Sequence, residues 1–228
     1  MPDDQQPEKV WDEHDWERFL QQQDRKTEKY MELMERYIDD PNRDQIVARE
    51  MGWNHLLDKE GQEWAESVDS QFAEEALSSA GLEDEEDDDE DALRPDTSDV
   101  FDFEVHPLYQ AAVVLAAWVD EMFEEGGERL VNHPVAIKLA GQTALASAKL
   151  AAALSDDDID EIGMTIAYLK RALRAISTGL ECATELRSEQ AIDREQFEGV
   201  NQQLFQVRDG IIELMGEYRA EWRRRFES

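Results

Sequence analysis

Residues 159–183 read IDEIGMTIAYLKRALRAISTGLECA, and the spacing of their apolar side chains decides the fold. An apolar residue recurs every three or four positions, in the series Ile159, Ile162, Ile166, Leu169, Leu173, Ile176, Leu180 and Ala183. Residues three and four apart share one face of an α-helix, so this series forms a single stripe. A stripe of this period is typical of helices that pack side by side at about 20°. The sequence therefore predicts one long helix that needs partner helices.

Three further segments supply those partners. A second stripe begins near Asp193 and consists of Phe197, Val200, Leu204, Val207, Ile211, Leu214 and Tyr218. Two earlier helices begin at His106-Pro107 and His133-Pro134, because proline is favoured at the first position of a helix. The first of these ends at Gly126-Gly127 and carries Leu108, Ala112, Leu115, Val119 and Met122. The second is apolar nearly all round as far as Leu154, which predicts a central, closely packed helix.

The connections between these four helices are short, and short connections make neighbouring helices antiparallel. We therefore predict an all-α fold in which residues 105–228 form an up-down-up-down four-helix bundle. Residues 1–80 are predicted to form an acidic amphipathic helical region, and residues 81–104 an acidic disordered linker. The linker contains nine consecutive acidic residues, 83–91, which repel one another and extend the chain. After it, residues 100–105 alternate between apolar and polar and are expected to lie extended.

The region 1–80 contains three amphipathic segments. The first carries Trp16, Phe19, Leu20, Thr27, Tyr30, Met31, Met34, Tyr37 and Ile38 on one stripe. Asp39-Asp40-Pro41 ends it, with Asp40 expected to cap a short second helix that stops near Gly52. The third segment runs from about Leu56 to Leu77. We expect these helices to need a surface against which to lie.

The charge of the chain limits its partners. The formal net charge is -33, and residues 1–91 hold 31 acidic and 9 basic side chains. This field repels nucleic acid and anionic lipid, so we expect neither as a partner and expect a protein, especially a basic one. An excess of acid is also what life in high salt produces. With one cysteine, no signal-peptide core and no long apolar run, we expect a cytoplasmic location.

The sequence presents no catalytic, cofactor-binding or metal-ligating site. Glu32-x-x-Glu35 and Glu66-x-x-Asp69 have the form of the magnesium motif of MazG-type helical pyrophosphatases, but helical spacing turns them away from the apolar stripes. The sole cysteine, Cys182, lies off the predicted stripe of its helix. His106 and His133 are predicted to sit at opposite ends of the bundle as helix-start residues.

Two basic clusters interrupt the acidic background. The first is Lys170, Arg171 and Arg174, and the second is Arg219, Arg223, Arg224 and Arg225. We predict that the N-terminal helices dock on the bundle within the same chain, partly through these clusters. The six tryptophans, four of them in the N-terminal region, are expected to hold the N-terminal helices on the bundle.

These observations favour a non-enzymatic helical protein that acts through protein–protein interaction, as a structural or regulatory adaptor. One alternative is an enzyme or small-ligand carrier with a pocket in the bundle, for example a divalent-metal-dependent helical hydrolase. Another is an acidic decoy or buffer for basic proteins. The sequence leaves the oligomeric state open.

Overall fold

The computed structural model describes residues 10–57, 59, 62–80, 102–155 and 162–226, and for 62, 74–80 and 102 it describes the backbone alone. The α-helices are α1 (Glu13–Arg36), α2 (Arg43–Met51), α3 (Gln62–Ala80), α4 (Pro107–Gly126), α5 (Glu128–Val131), α6 (Pro134–Leu154), α7 (Ile162–Ser188) and α8 (Arg194–Phe226). Two 3₁₀ helices, Asn54–Leu56 and Asp102–Val105, accompany them, and these described ranges contain no strand. The all-α prediction is confirmed.

The chain divides into two compact units. The N-terminal unit comprises residues 17–90, and the C-terminal unit combines residues 1–16 with 91–228. Residues 10–16 therefore group with the predicted bundle and not with the acidic helices that follow them. The predicted linker lies outside the described residues as far as residue 101. Its last residues, Asp102–Val105, form a 3₁₀ helix, so the expected extended piece is wrong there.

The N-terminal unit has an apolar core of its own. The buried side chains are Leu33, Val47, Ala48, Trp53, Leu56, Trp64 and Val68. Tyr30 lies on this core, with its ring centroid 5.9 Å from that of Trp53 and 5.6 Å from that of Phe72. This packing turns Leu33 inward and leaves Met31 and Ile38 exposed, although the predicted stripe contained the latter two and not Leu33.

The start of α2 also differs from the prediction. Asn42, and not Asp40, occupies the position before the helix. The Asp40 carboxylate instead accepts a hydrogen bond from the backbone N–H of Asn42 at 2.8 Å, which closes a local turn that begins the helix later. Gly52 ends α2 at a φ of 84°, a left-handed conformation that glycine adopts readily, as predicted.

In the C-terminal unit, α6 packs against α4 and α7, and α8 packs against the same two helices. The helix boundaries match those predicted for α4 and α6, which begin at Pro107 and Pro134 and end at Gly126 and Leu154. This cycle of contacts agrees with a four-helix bundle in which α4 and α7 lie at opposite corners. The up-down-up-down order stays a prediction.

The contact between α6 and α7 is the most extensive, because small residues line it. Buried alanines recur on both helices, at Ala136, Ala146 and Ala153 of α6 and at Ala167, Ala172, Ala175 and Ala183 of α7. A Cβ atom added at Gly179 would lie 3.0 Å from Leu204 of α8 and 3.6 Å from Leu139 of α6. The glycine thus lets both neighbours approach α7 closely.

The buried face of α7 is wider than the predicted stripe. Ile166, Leu169, Ile176 and Ala183 are buried as predicted, but Leu173 and Leu180 are half-buried at its margin. Cys182, expected off the stripe, is buried in the core. The difference arises because α7 contacts both α6 and α8, and a helix between two neighbours buries more than one narrow seam.

The prediction of a central α6 is wrong. Its buried residues, Ala136, Leu139, Thr143, Ala146, Leu150 and Ala153, occupy one face. The opposite face is exposed, and Ile137 and Leu145 keep 53% and 41% of their surface accessible. A helix at a corner of the packing buries only the sides that face its two neighbours.

We predict that Ile166→Asp unfolds the C-terminal unit, whereas Leu173→Asp only weakens it. Burying an unpaired carboxylate costs several kcal/mol, comparable with a total stability of about 5–15 kcal/mol. At the half-buried position 173 the carboxylate reaches water. Thermal unfolding followed by circular dichroism measures the stability of both variants. Glu185→Ala, at an exposed position, is the control and should leave the melting temperature unchanged. Equal effects of the two aspartates would contradict the burial assigned to α7.

Candidate interaction sites

Residues 10–16, termed the anchor, are the first residues that the structure describes, and they run into the first turn of α1. One carboxylate oxygen of Asp12 accepts hydrogen bonds from the backbone N–H groups of His14 and Asp15, at 2.8 Å each. These bonds satisfy amides that a helix start leaves without partners, so they fix the position of Glu13. The rings of Trp11 and Trp16 meet edge to face with centroids 4.9 Å apart. The anchor is therefore a locally ordered segment.

Glu13 links the anchor to two helices of the C-terminal unit. Its carboxylate accepts two hydrogen bonds from the guanidinium of Arg219 on α8, at 2.9 Å from Nε and 3.2 Å from the terminal nitrogen. The ammonium of Lys170 on α7 lies 3.6 Å from the same carboxylate. Only 19% of the Glu13 side chain is exposed, which reduces screening by water and salt. A paired guanidinium fork of this kind is directional as well as attractive.

Gly163 of α7 forms a seat for the anchor. A Cβ atom added there would overlap the backbone oxygen of Trp11, and it would lie 2.9 Å from a ring carbon of Trp16 and 3.0 Å from the carbonyl carbon of Asp12. A backbone has little freedom to move away from such a clash. The missing side chain of Gly163 therefore lets the anchor lie directly on α7.

Each predicted basic cluster supplies one residue to Glu13. Lys170 comes from the first cluster and Arg219 from the second. Arg224 and Arg225 instead contact Glu221 of their own helix, and the hydrogen bond from Arg225 lowers the pKa of Glu221. Part of the second cluster thus serves α8 itself.

Sequence reasoning missed both Glu13 and Gly163. Glu13 is one of 56 acidic residues, and nothing in its neighbourhood distinguishes it. Gly163 left a weak signal, because a glycine within the first turns of an apolar helix is unfavourable unless something approaches it closely.

A second candidate surface is the exposed side of α6, termed the acid-free face. It consists of Ile137, Lys138, Gly141, Ala144, Leu145 and Ala148. In a chain of net charge -33, α6 is the one described α-helix that carries no aspartate or glutamate.

Gly141 lies in the middle of this face. A Cβ atom added there would meet nothing within 4 Å, and its φ is not in the left-handed range. Glycine inside a helix costs roughly 0.5–1 kcal/mol relative to alanine. Neither the packing of the C-terminal unit nor its backbone conformation accounts for that cost.

A groove of about 750 Å³ lies where α4 ends and α8 begins. Its charged lining residues are Glu125, Arg129, Arg187 and Asp193. The Asp193 carboxylate accepts a hydrogen bond from the backbone N–H of Gln196 at 2.8 Å, and the Gln196 side-chain oxygen accepts one from the backbone N–H of Asp193 at 3.1 Å. This reciprocal pair caps α8, so the carboxylate of Asp193 already has a structural role.

The side chains that the sequence singled out for chemistry lie apart from these surfaces. Glu32, Glu35, Glu66 and Asp69 are exposed, as their helical spacing predicted. His106 accepts a hydrogen bond from the Leu108 backbone N–H at 3.2 Å and so acts as a helix cap.

His133 and Cys182 also have local surroundings that account for them. The imidazole Nε2 of His133 lies 3.1 Å from the Glu189 carboxylate. Burial raises the pKa of the Cys182 thiol, which favours the protonated form. Within the described ranges no three His, Cys, Asp or Glu side chains gather closely enough to hold a metal ion.

Comparison of the chain with protein-family models, curated proteins and solved structures found no match. Among the described helices, none combines the length and the apolar character needed to cross a bilayer.

We predict that Gly163→Ala lowers the free energy of unfolding by about 1–3 kcal/mol, because the added methyl group overpacks the seat of the anchor. The matched control is Gly216→Ala on α8, where a Cβ atom meets nothing within 4 Å. That change should raise stability by about 0.5–1 kcal/mol. Urea unfolding followed by circular dichroism compares the two. Stabilisation by both substitutions would show that the anchor does not lie on Gly163.

Proposed function

We propose that this chain is a non-enzymatic interaction protein, a structural or regulatory adaptor, and that a protein partner binds its acid-free face. The observation that supports the proposal is the exposure of Ile137 and Leu145 on the one described α-helix without acidic residues. Fully burying a side chain of this size contributes roughly 1.5–3 kcal/mol, so burying the exposed half of each contributes roughly half of that, and no carboxylate on this helix has to lose its water. The net charge of -33 supports a protein partner over a nucleic acid.

The interior of the C-terminal unit gives less support to the alternative of a catalytic or ligand-binding pocket. The fully buried polar side chains in the described residues are Thr143 and Thr165. The Thr143 hydroxyl donates to the backbone carbonyl of Ala140 at 2.9 Å, which is a local bond within the helix. A buried pocket for a small polar ligand needs several convergent polar groups.

We also propose that the N-terminal helices dock on the bundle through the anchor. The contacts of Glu13 with Lys170 and Arg219 support this, because they join the first turn of α1 to α7 and α8. Apolar contact at the seat of Gly163 supplies most of the energy in this proposal, since partly exposed ion pairs contribute only about 0–1 kcal/mol.

We predict that Glu13→Gln loosens the anchor. Hydrogen exchange of the amides of residues 10–16 should be faster than in the unaltered chain and should respond less to added salt, because the ion pair that salt screens is gone. Glu28→Gln, at an exposed site on the same helix, makes the same change of charge and should leave the exchange unchanged. Identical exchange in both variants would contradict a role for Glu13.

The partner proposal is tested by capture from a native lysate with the full-length chain. Ile137→Asp combined with Leu145→Asp should abolish capture of specific partners, because two carboxylates on the face oppose apolar contact. Ile212→Asp, at an exposed position of α8, is the matched control and should retain them. Circular dichroism checks that all variants are folded.

Deletion of residues 1–91 tests the remaining alternative, an acidic decoy or buffer for basic proteins. Retention of every partner by the double aspartate variant, with loss on deletion, would contradict the proposal. It would favour the acidic decoy, in which the N-terminal acids bind basic proteins.

A further inference from the structure

The acid-free face has a similar shape on either side of its middle residue, Gly141. One row along α6 consists of residues spaced four apart, Ile137, Gly141 and Leu145. The two ends of the row carry large apolar side chains, and the glycine between them carries none. The notch at Gly141 is open, since a Cβ atom there would meet nothing within 4 Å. Close approach by another backbone is the usual reason for a glycine at such a position.

The charge of the chain affects which partner can bind this face. Two copies of a chain of net charge -33 repel each other over most of their surfaces, and α6 adds no carboxylate of its own to that repulsion. A basic partner gains no ion pair here, because the one charged side chain on the face is Lys138. The face therefore suits an apolar surface that is itself poor in positive charge.

We propose that the acid-free face binds the same face of a second copy of this chain. The inference rests on the proposed function and names its partner. The two α6 helices run antiparallel about a two-fold axis at Gly141. Rotation about that axis brings Ile137 of one copy beside Leu145 of the other, and glycine opposite glycine, as a self-complementary contact requires. The two copies of Lys138 lie about 9 Å apart along the helices at a rise of 1.5 Å per residue, so they do not face each other.

Sedimentation equilibrium of the full-length chain tests the contact. We expect a concentration-dependent dimer, an at least tenfold weaker dimer for Ile137→Asp combined with Leu145→Asp, and an unchanged dimer for Ile212→Asp. A chain that stays monomeric at its highest soluble concentration overturns the inference, as does a dimer that the double variant leaves intact.

The geometry has a test of its own. Gly141→Cys should form an intermolecular disulfide under mild oxidation, because the two-fold axis brings position 141 of each copy together. Ile212→Cys on α8 should not, and the native Cys182 is buried, so it contributes little background. Absence of the Gly141→Cys cross-link overturns the antiparallel arrangement.

The failure of this inference is distinguishable from failure of the proposed function. If the chain is monomeric and the double aspartate variant loses the captured partners, the adaptor proposal stands and binding of a second copy is refuted. A dimer that depends on the face supports both.

Discussion

The close approach of α6 to α7 is the contact on which the C-terminal unit depends. Alanines on both helices and Gly179 on α7 leave little side chain between the two backbones, so their dispersion contacts are dense. With α6 held on one side and α8 on the other, α7 buries a face wide enough to include Cys182 and Ala175. Glycine also allows close approach where α4 meets α8. A Cβ atom added at Gly199 would overlap the Trp118 ring, and one added at Gly210 would overlap the Leu108 side chain. Small residues thus set the distances between the helix backbones, and large apolar side chains fill the space that remains between the helices.

The charge is distributed unevenly over the helices of this unit. Helices α4 and α8 bury apolar residues on one side and carry several carboxylates on their other sides. The alanine-rich α6 carries none, and its exposed side is apolar. The acid-free face is therefore a local exception to the anionic character of the chain, and the cations Lys170 and Arg219 are paired with Glu13.

Periodicity predicted the helices of the C-terminal unit well, because each stripe is long and each start or end carries proline or glycine. It gave the first and last residues of α4 and α6. It could not give the side on which α6 is exposed, since an almost wholly apolar helix has no polar face to orient it. For Leu173 and Cys182, a stripe drawn from large side chains misses alanines that widen the buried face. The anchor was beyond sequence reasoning, because its residues lie about 150 to 200 positions from Gly163 and Arg219 along the chain.

The grouping of residues 10–16 with the C-terminal unit makes the N-terminal unit an insertion. Its chain leaves the C-terminal unit after Trp16 and returns before Asp102, so the polypeptide between them is a loop closed without a covalent bond. Closing a loop of this length costs entropy that rises only slowly with the number of residues, and the anchor supplies the compensating contacts. A single cut between residues 80 and 102 therefore leaves the N-terminal unit joined to the C-terminal unit through the anchor until the anchor leaves Gly163.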